Sequence, residues 1–208
     1  MKLSSIKGLL GPKLNIDWKI ALLTIFSTTL IMVDYYYSPT GYNHFDSILL
    51  YILIPGLCVI FIFKEPLSEY GFKLGDWKAG LILTVLGCLL MAPVIWYLGS
   101  RNPSMGSYYR ISSQGLIWKR GLEMIGWEYL FRGWLLFGYA KRYGTDALWL
   151  QAVPFAVAHI GKPAVETVST IFGGFAFGWI AWRTGSFIYP FLIHWFIGVL
   201  IILVSNGV

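Results

Sequence analysis

The sequence predicts an all-α, polytopic transmembrane helical bundle, and three observations carry that expectation. Hydrophobic residues make up 57% of the chain and charged residues 12%, with a mean hydropathy of +0.65. A soluble domain carries about 25% charged residues. About seven apolar stretches, 17–35, 45–63, 77–99, 116–139, 146–160, 164–182 and 187–204, approach the ~20 residues that a bilayer-crossing helix needs. None of them shows the dyad alternation of lipid-exposed barrel strands. Helices and closed barrels are the structures that satisfy their own backbone in lipid, so helices remain.

Taken in order, the chain opens with MKLSSIKGLLGPKLN. This segment is too polar for a signal-peptide core and has no small-residue cleavage site. It reads as a short amphipathic helix on the membrane surface before Pro12, followed by an uncleaved anchor. Residues 1–99 form an N-terminal three-span region in which Asp17, Lys19, Asp34 and Asp46 mark helix ends. A charged loop, KEPLSEYGFKLGDWK, joins the second and third spans at 64–78. The connector GSRNPSMGSYYRISSQG at 99–115 is punctuated by Gly, Ser and Pro, as loops are. Residues 116–204 hold the remaining four spans, and the fifth span is short enough to be tilted or re-entrant. Trp18, Tyr35, Tyr36, Tyr37, Trp77, Trp96 and Tyr97 lie near span ends, as an interfacial aromatic belt does. Cys58 and Cys88 fall in apolar spans and form no CxxC pair; they read as small hydrophobes.

The formal charge is +6, and its placement carries more than its size. With the N-terminus inside, ten basic residues fall on the cytoplasmic side: Lys2, Lys7, Lys13, Lys19, Lys64, Lys73, Lys78, Lys141, Arg142 and Arg183. Three fall outside: Arg101, Arg110 and Lys162. That bias predicts an N-in, C-out topology and contact with anionic membrane lipids. No soluble basic face exists that would indicate nucleic acid as a partner.

Ionisable groups at mid-span cost about 2.5–3.5 kcal/mol on insertion scales and by default mark function. The C-terminal half carries Glu123, Glu128, Arg132, His159, Glu166 and His194 in or beside its spans. Glu128 and Arg132 are four apart, so they face each other on a helix. A bundle can bring Glu128, His159 and His194 to one polar pocket. The spans contain no GxSG-like serine elbow, no paired aspartates and no HExxH. A Glu–His–His set can activate water as a general base and stabilise an oxyanion. It can also hold a divalent metal such as zinc, with Glu128, His159 and His194 as ligands. Simpler roles stand beside these. Glu128–Arg132 serves equally as a structural ion pair. Glu123 has Lys119 four residues before it, and Glu166 has Lys162. Gly174 and Gly178 suit close helix packing.

Three motifs together resemble a family. Glu128 followed by FRG at 131–133, then PFAVAH at 154–159, then FLIHW at 191–195 are similar to the successive motifs of the CPBP family. That group comprises the type II CAAX prenyl protease, or Abi, intramembrane proteases and bacteriocin-immunity proteins. The family pattern is Glu-Glu-x-x-x-Arg, Phe-x-x-x-His and His-x-x-x-Asn/Asp. Here Glu128, Arg132, Phe155, His159 and His194 match it, over roughly 116–204. The resemblance implies a four-span catalytic core that hydrolyses a peptide bond of a peptide or membrane-protein substrate. Water would be activated between a Glu and His159, with His194 supporting the oxyanion, in a bacterial plasma membrane. Some members of the family are called metalloproteases and others look metal-free. Two positions depart from the pattern: Trp127 stands at the first Glu, and Gly198 stands at the Asn/Asp. Glu128 itself, Glu123 one turn before Trp127, or Glu166 after the turn at Gly161 and Pro163 are the carboxylates that can take the base's place. The alternative is a catalytically inactive scaffold, or a peptide-toxin immunity protein, of the same fold.

Overall fold

A computed structural model describes residues 14–207, and among them all regular structure is helical. The amphipathic helix expected before Pro12 lies outside the described residues. Helix α1 (Trp18–Tyr37) starts at Asp17, whose carboxylate accepts the Lys19 and Ile20 backbone N–H groups. That is the usual satisfaction of orphan donors at a helix start. Helix α2 (Asn43–Phe63) contains two π-helical stretches, Leu49–Leu53 and Cys58–Phe63. Helix α3 (Trp77–Arg101) is capped by Asp76 and holds Pro93 inside it. A short α4 (Pro103–Tyr109) is capped by Asn102. Next come α5 (Leu116–Glu128), a π-helical segment Tyr129–Leu135, and α6 (Leu136–Tyr143). The chain ends with α7 (Ala147–Val157), α8 (Ala164–Thr184) and α9 (Ile188–Ser205).

Five of these, α1, α2, α3, α8 and α9, are long and apolar enough to cross a bilayer. The other two expected spans are helical but differ in kind. The 116–139 stretch carries Lys119, Arg120, Glu123, Glu128 and Arg132 and changes to π geometry after Glu128. The 146–160 stretch contains only the 11 residues of α7. At 1.5 Å per residue that is about 17 Å, roughly half of the ~30 Å hydrocarbon core.

The π segment lies at the centre of the bundle, with all seven of its residues buried. A helical stretch that is apolar all round belongs in the middle of other helices, and YLFRGWL is apolar on every side except at Arg132. Trp134 stacks on Phe63 at 5.3 Å and donates its indole N–H to Ser27 Oγ at 2.8 Å. Leu23 and Leu30 of α1 and Tyr51 and Val59 of α2 close around the same segment.

Helix α3 docks along α9 through glycines. Side chains at Gly80, Gly87 and Gly99 would collide with Tyr189, Ile193 and Val204 respectively, and small residues let helices approach this closely in lipid. By contrast, α3 touches α8 only sparsely. Helix α8 lies on α7, with Gly174 against Ala152 and Phe155, and Gly178 against Gln151. The small-xxx-small pair is therefore a packing device, as its spacing predicts.

One end of the bundle is tied by charge. Glu65 accepts from Lys19 at 2.6 Å and Lys141 at 2.7 Å, and Lys141 also reaches Glu69 at 2.6 Å. Burial opposes the charge on Glu65, but hydrogen bonds from Lys141, Lys19 and Tyr70 outweigh it and hold the carboxyl down at about 2. Arg183 reaches Asp76 at 2.8 Å, anchoring the loop to the end of α8.

Candidate active site

Glu128 is the last residue of α5, and Arg132 lies in the π segment that follows. Both are fully buried, and Arg132 Nη1 donates to Glu128 Oε1 at 3.0 Å. The wider π turn recurs at functional sites, and here it leaves residues four apart in contact. Arg132 has two further supports. Its guanidinium carbon lies 3.9 Å from the centre of the Phe155 ring, and Nη2 reaches the Gly174 carbonyl at 3.4 Å. The charge is thus held by a carboxylate, a carbonyl and an aromatic face, while Nε is buried without a partner.

The same Glu128 oxygen meets His194 Nδ1 at 2.6 Å. A carboxylate already paired with arginine is ionised and can only accept, so Nδ1 carries the proton. Nε2 of a neutral His194 is then an acceptor. It makes no protein hydrogen bond, and it is not among the fully buried orphan atoms. Arg132, Glu128 and His194 form a chain running from the core to that nitrogen. Glu128 Oε2 is buried without a partner.

His159 sits in the turn after α7 and is 2% exposed. Its Nδ1 is 2.8 Å from the Phe155 carbonyl; a carbonyl only accepts, so this ring too presents Nε2 as an acceptor. The backbone is fixed from the other side, where Thr167 Oγ1 donates to the His159 carbonyl at 2.8 Å. Phe155 is the hub of the arrangement: its ring touches Arg132, the His159 ring at 4.5 Å and the His194 ring at 6.0 Å. Trp127 lies edge-on to His159 at 5.5 Å.

Both histidines line a cavity of about 610 Å³ bounded by α3, α8 and α9. Its wall is mostly aliphatic, with Tyr109, Arg120, Lys162 and Glu166 as further polar lining. Glu166 faces the cavity together with both imidazoles. It accepts from Tyr109 Oη at 2.7 Å and from Lys162 at 3.0 Å, so the spacing-based pairing with Lys162 is present. Glu123 differs from expectation: it pairs with Arg120 at 2.6 Å rather than with Lys119, and it does not line the cavity. Glu128 lies behind His194 rather than in the cavity. Gly198 lines the cavity, beside Arg120 and Met124.

Among the described residues, no three His, Cys, Asp or Glu side chains are grouped to hold a metal ion. One Glu128 oxygen is committed to Arg132 and His194. As placed, Glu128, His159 and His194 do not form a metal-ligand set.

Sequence reasoning missed Tyr109, whose only signal was an aromatic in a loop. It also missed Gln151, which is fully buried and donates to the Gly174 carbonyl at 2.8 Å. An amide in an apolar helix was the available sign.

Fold and site define an integral membrane protein with a carboxylate-backed imidazole centre inside its bundle. Residues 122–200 match the family model described as type II CAAX prenyl endopeptidase Rce1-like. Over this segment the chain resembles the CPBP family of membrane proteases, in agreement with its motif series. No curated protein and no solved structure matches the chain.

Proposed function

We propose that the protein is an intramembrane endopeptidase that hydrolyses a peptide bond in or near the membrane. The observation that carries this is the Arg132–Glu128–His194 chain, which ends at an imidazole nitrogen free to act in a cavity shared with His159. His194 Nε2 takes a proton from water as the water oxygen adds to the substrate carbonyl carbon. Glu128 holds the ring and stabilises the imidazolium that forms, the role of the acid in carboxylate–histidine pairs. The proton then passes to the amine nitrogen as the C–N bond breaks. His159, with its own acceptor nitrogen toward the cavity, orients the water. The sequence assigns water activation to Glu128 or a nearby Glu with His159, and oxyanion support to His194; the geometry favours His194 as the base, with Glu128 one step back behind it. Membrane lipids and a peptide or membrane-protein substrate are the partners in this proposal, with the chain N-in and C-out in a bacterial plasma membrane.

One observation favours a second function, an inactive scaffold or peptide-toxin immunity protein. Trp127 packs on His159 and has no acid–base chemistry to offer it. Cleavage of a peptide library by the purified protein in detergent separates the two. Loss of ~10²-fold or more in Glu128→Ala, His159→Ala and His194→Ala is expected of acid–base groups. Unchanged cleavage in all three overturns the hydrolase, and a wild type that cleaves nothing supports the scaffold.

A further inference from the structure

Adding water to a carbonyl carbon pushes negative charge onto the carbonyl oxygen, and a site for that reaction needs donors aimed at it. In the hydrolysis proposed above both imidazole nitrogens serve the water, so these donors come from elsewhere in the cavity wall. Most of the polar wall is already committed. Tyr109 Oη donates to Glu166 at 2.7 Å. Ser169 and Thr170 turn their hydroxyls back to the Glu166 and Thr167 carbonyls, at 2.8 and 2.6 Å. Among the described residues, two cations line the cavity, Arg120 and Lys162.

Their partners separate them. Lys162 is bonded at 3.0 Å to Glu166, which lines the same cavity, so charge and countercharge offset each other inside it. Arg120 Nη1 is bonded at 2.6 Å to Glu123, which does not line the cavity. That carboxylate anchors the guanidinium from behind, while Nε and Nη2 make no hydrogen bond to another described residue. Gly198 keeps the space in front of it open. Gly198 follows His194 by one turn of α9, about 6 Å along the axis, and both line the cavity. A Cβ built on Gly198 would already touch Arg120 Cδ at 3.9 Å, so a longer side chain would compete with the guanidinium for that space. The mostly aliphatic wall lowers the local dielectric and strengthens whatever the free N–H groups bind.

We propose that Arg120 receives the oxyanion of the reaction, which makes the part of the cavity beside Gly198 an anion site. As the water oxygen adds and His194 takes the proton, the carbonyl π pair moves onto oxygen, which accepts from the guanidinium. The pair returns to re-form C=O as the C–N bond breaks. This role rests on the hydrolase proposed above for its chemistry, and the anion site is testable without turnover.

The probe is octylphosphonate, whose tetrahedral anionic head resembles the adduct, with octanol as its uncharged counterpart. Each is titrated into the histidine-labelled protein in nanodiscs, and binding is read from the His194 nitrogen resonances. Arg120→Gln should weaken phosphonate binding at least about tenfold, or about 1.4 kcal/mol, and leave octanol binding unchanged. The same loss should persist in Arg120→Gln/Glu123→Gln, in which no bared carboxylate repels the probe. Unchanged phosphonate binding, an equal loss for octanol, or recovery in the double variant would each overturn the site. On a peptide that the wild type cleaves, Arg120→Gln should lower kcat by about 10²–10³ with KM little changed. A raised KM at unchanged kcat would mean that Arg120 reads an anion present in the bound substrate, such as a carboxylate, and would overturn the oxyanion role. A kcat loss in Lys162→Met but not in Arg120→Gln would overturn it too, and either result leaves the hydrolase standing. Phosphonate binding that depends on Arg120 in a protein that cleaves nothing would support the anion site and overturn the hydrolase.

Discussion

Neutralising one half of the Glu128–Arg132 pair exposes how the protein keeps a charge in its core. The two groups are both fully buried, 3.0 Å apart. At an effective dielectric of ~20, that separation corresponds to about 5 kcal/mol of attraction. Removing one partner of such a pair leaves an uncompensated buried charge and costs about 3–5 kcal/mol. Arg132 would retain the Phe155 face at 3.9 Å and the Gly174 carbonyl at 3.4 Å. A desolvated cation–π contact is worth about 2 kcal/mol, so the lower end of the range applies. Glu128→Gln should therefore destabilise the protein by about 3 kcal/mol, and Arg132→Gln, which leaves the buried Glu128 carboxylate with His194 alone, by up to about 5 kcal/mol. The double variant should cost less than the sum by about 2 kcal/mol, because it buries no orphan charge. Reversible unfolding in bicelles, measured for the four proteins of the cycle, gives the coupling directly. Additivity within ~0.5 kcal/mol would refute the reasoning, since that is how independent sites behave.

Two further outcomes follow from the same structure. Glu65 is held at about 2, below its ordinary 4.5, so it contributes stability above pH 4.5 that is lost as the pH falls toward 2. Lys141→Met should flatten that acid limb in unfolding experiments over this window, and an unchanged slope would contradict the assignment. Gly198 lies inside α9, and a Cβ there makes ordinary contacts at 3.9 Å with Arg120 and Met124. Gly198→Ala should therefore stabilise the helix by about 0.5–1 kcal/mol, and destabilisation in the same unfolding assay would show that the position needs its glycine.

How much of this was legible in the sequence depends on range. The helices, their apolar lengths and the Glu128–Arg132 contact follow from periodicity and local spacing, which sequence carries well. So does the Glu166–Lys162 pair. Glu123 chose Arg120 over Lys119 because three and four residues of separation are near-equivalent on a helix surface. The π segment after Glu128 was not visible: nothing in the order of its residues distinguishes a wide turn from an ordinary helical one. The largest gap is long-range. Spacing assigns His194 no partner, and the 2.6 Å contact with Glu128 spans 66 residues. Tyr109 likewise reaches Glu166 across 57 residues. The motifs named the residues, but they did not say which carboxylate stands behind which imidazole.

That last question has a direct measurement. The chain holds three histidines, His44, His159 and His194, so nitrogen NMR of protein labelled at histidine resolves each ring. The expected result for His194 is a proton on Nδ1 in a short hydrogen bond, with Nε2 unprotonated in the neutral ring. Glu128→Gln should weaken that hydrogen bond while leaving His159 unchanged. A proton on Nε2 of His194, or a His194 spectrum indifferent to Glu128→Gln, would contradict it.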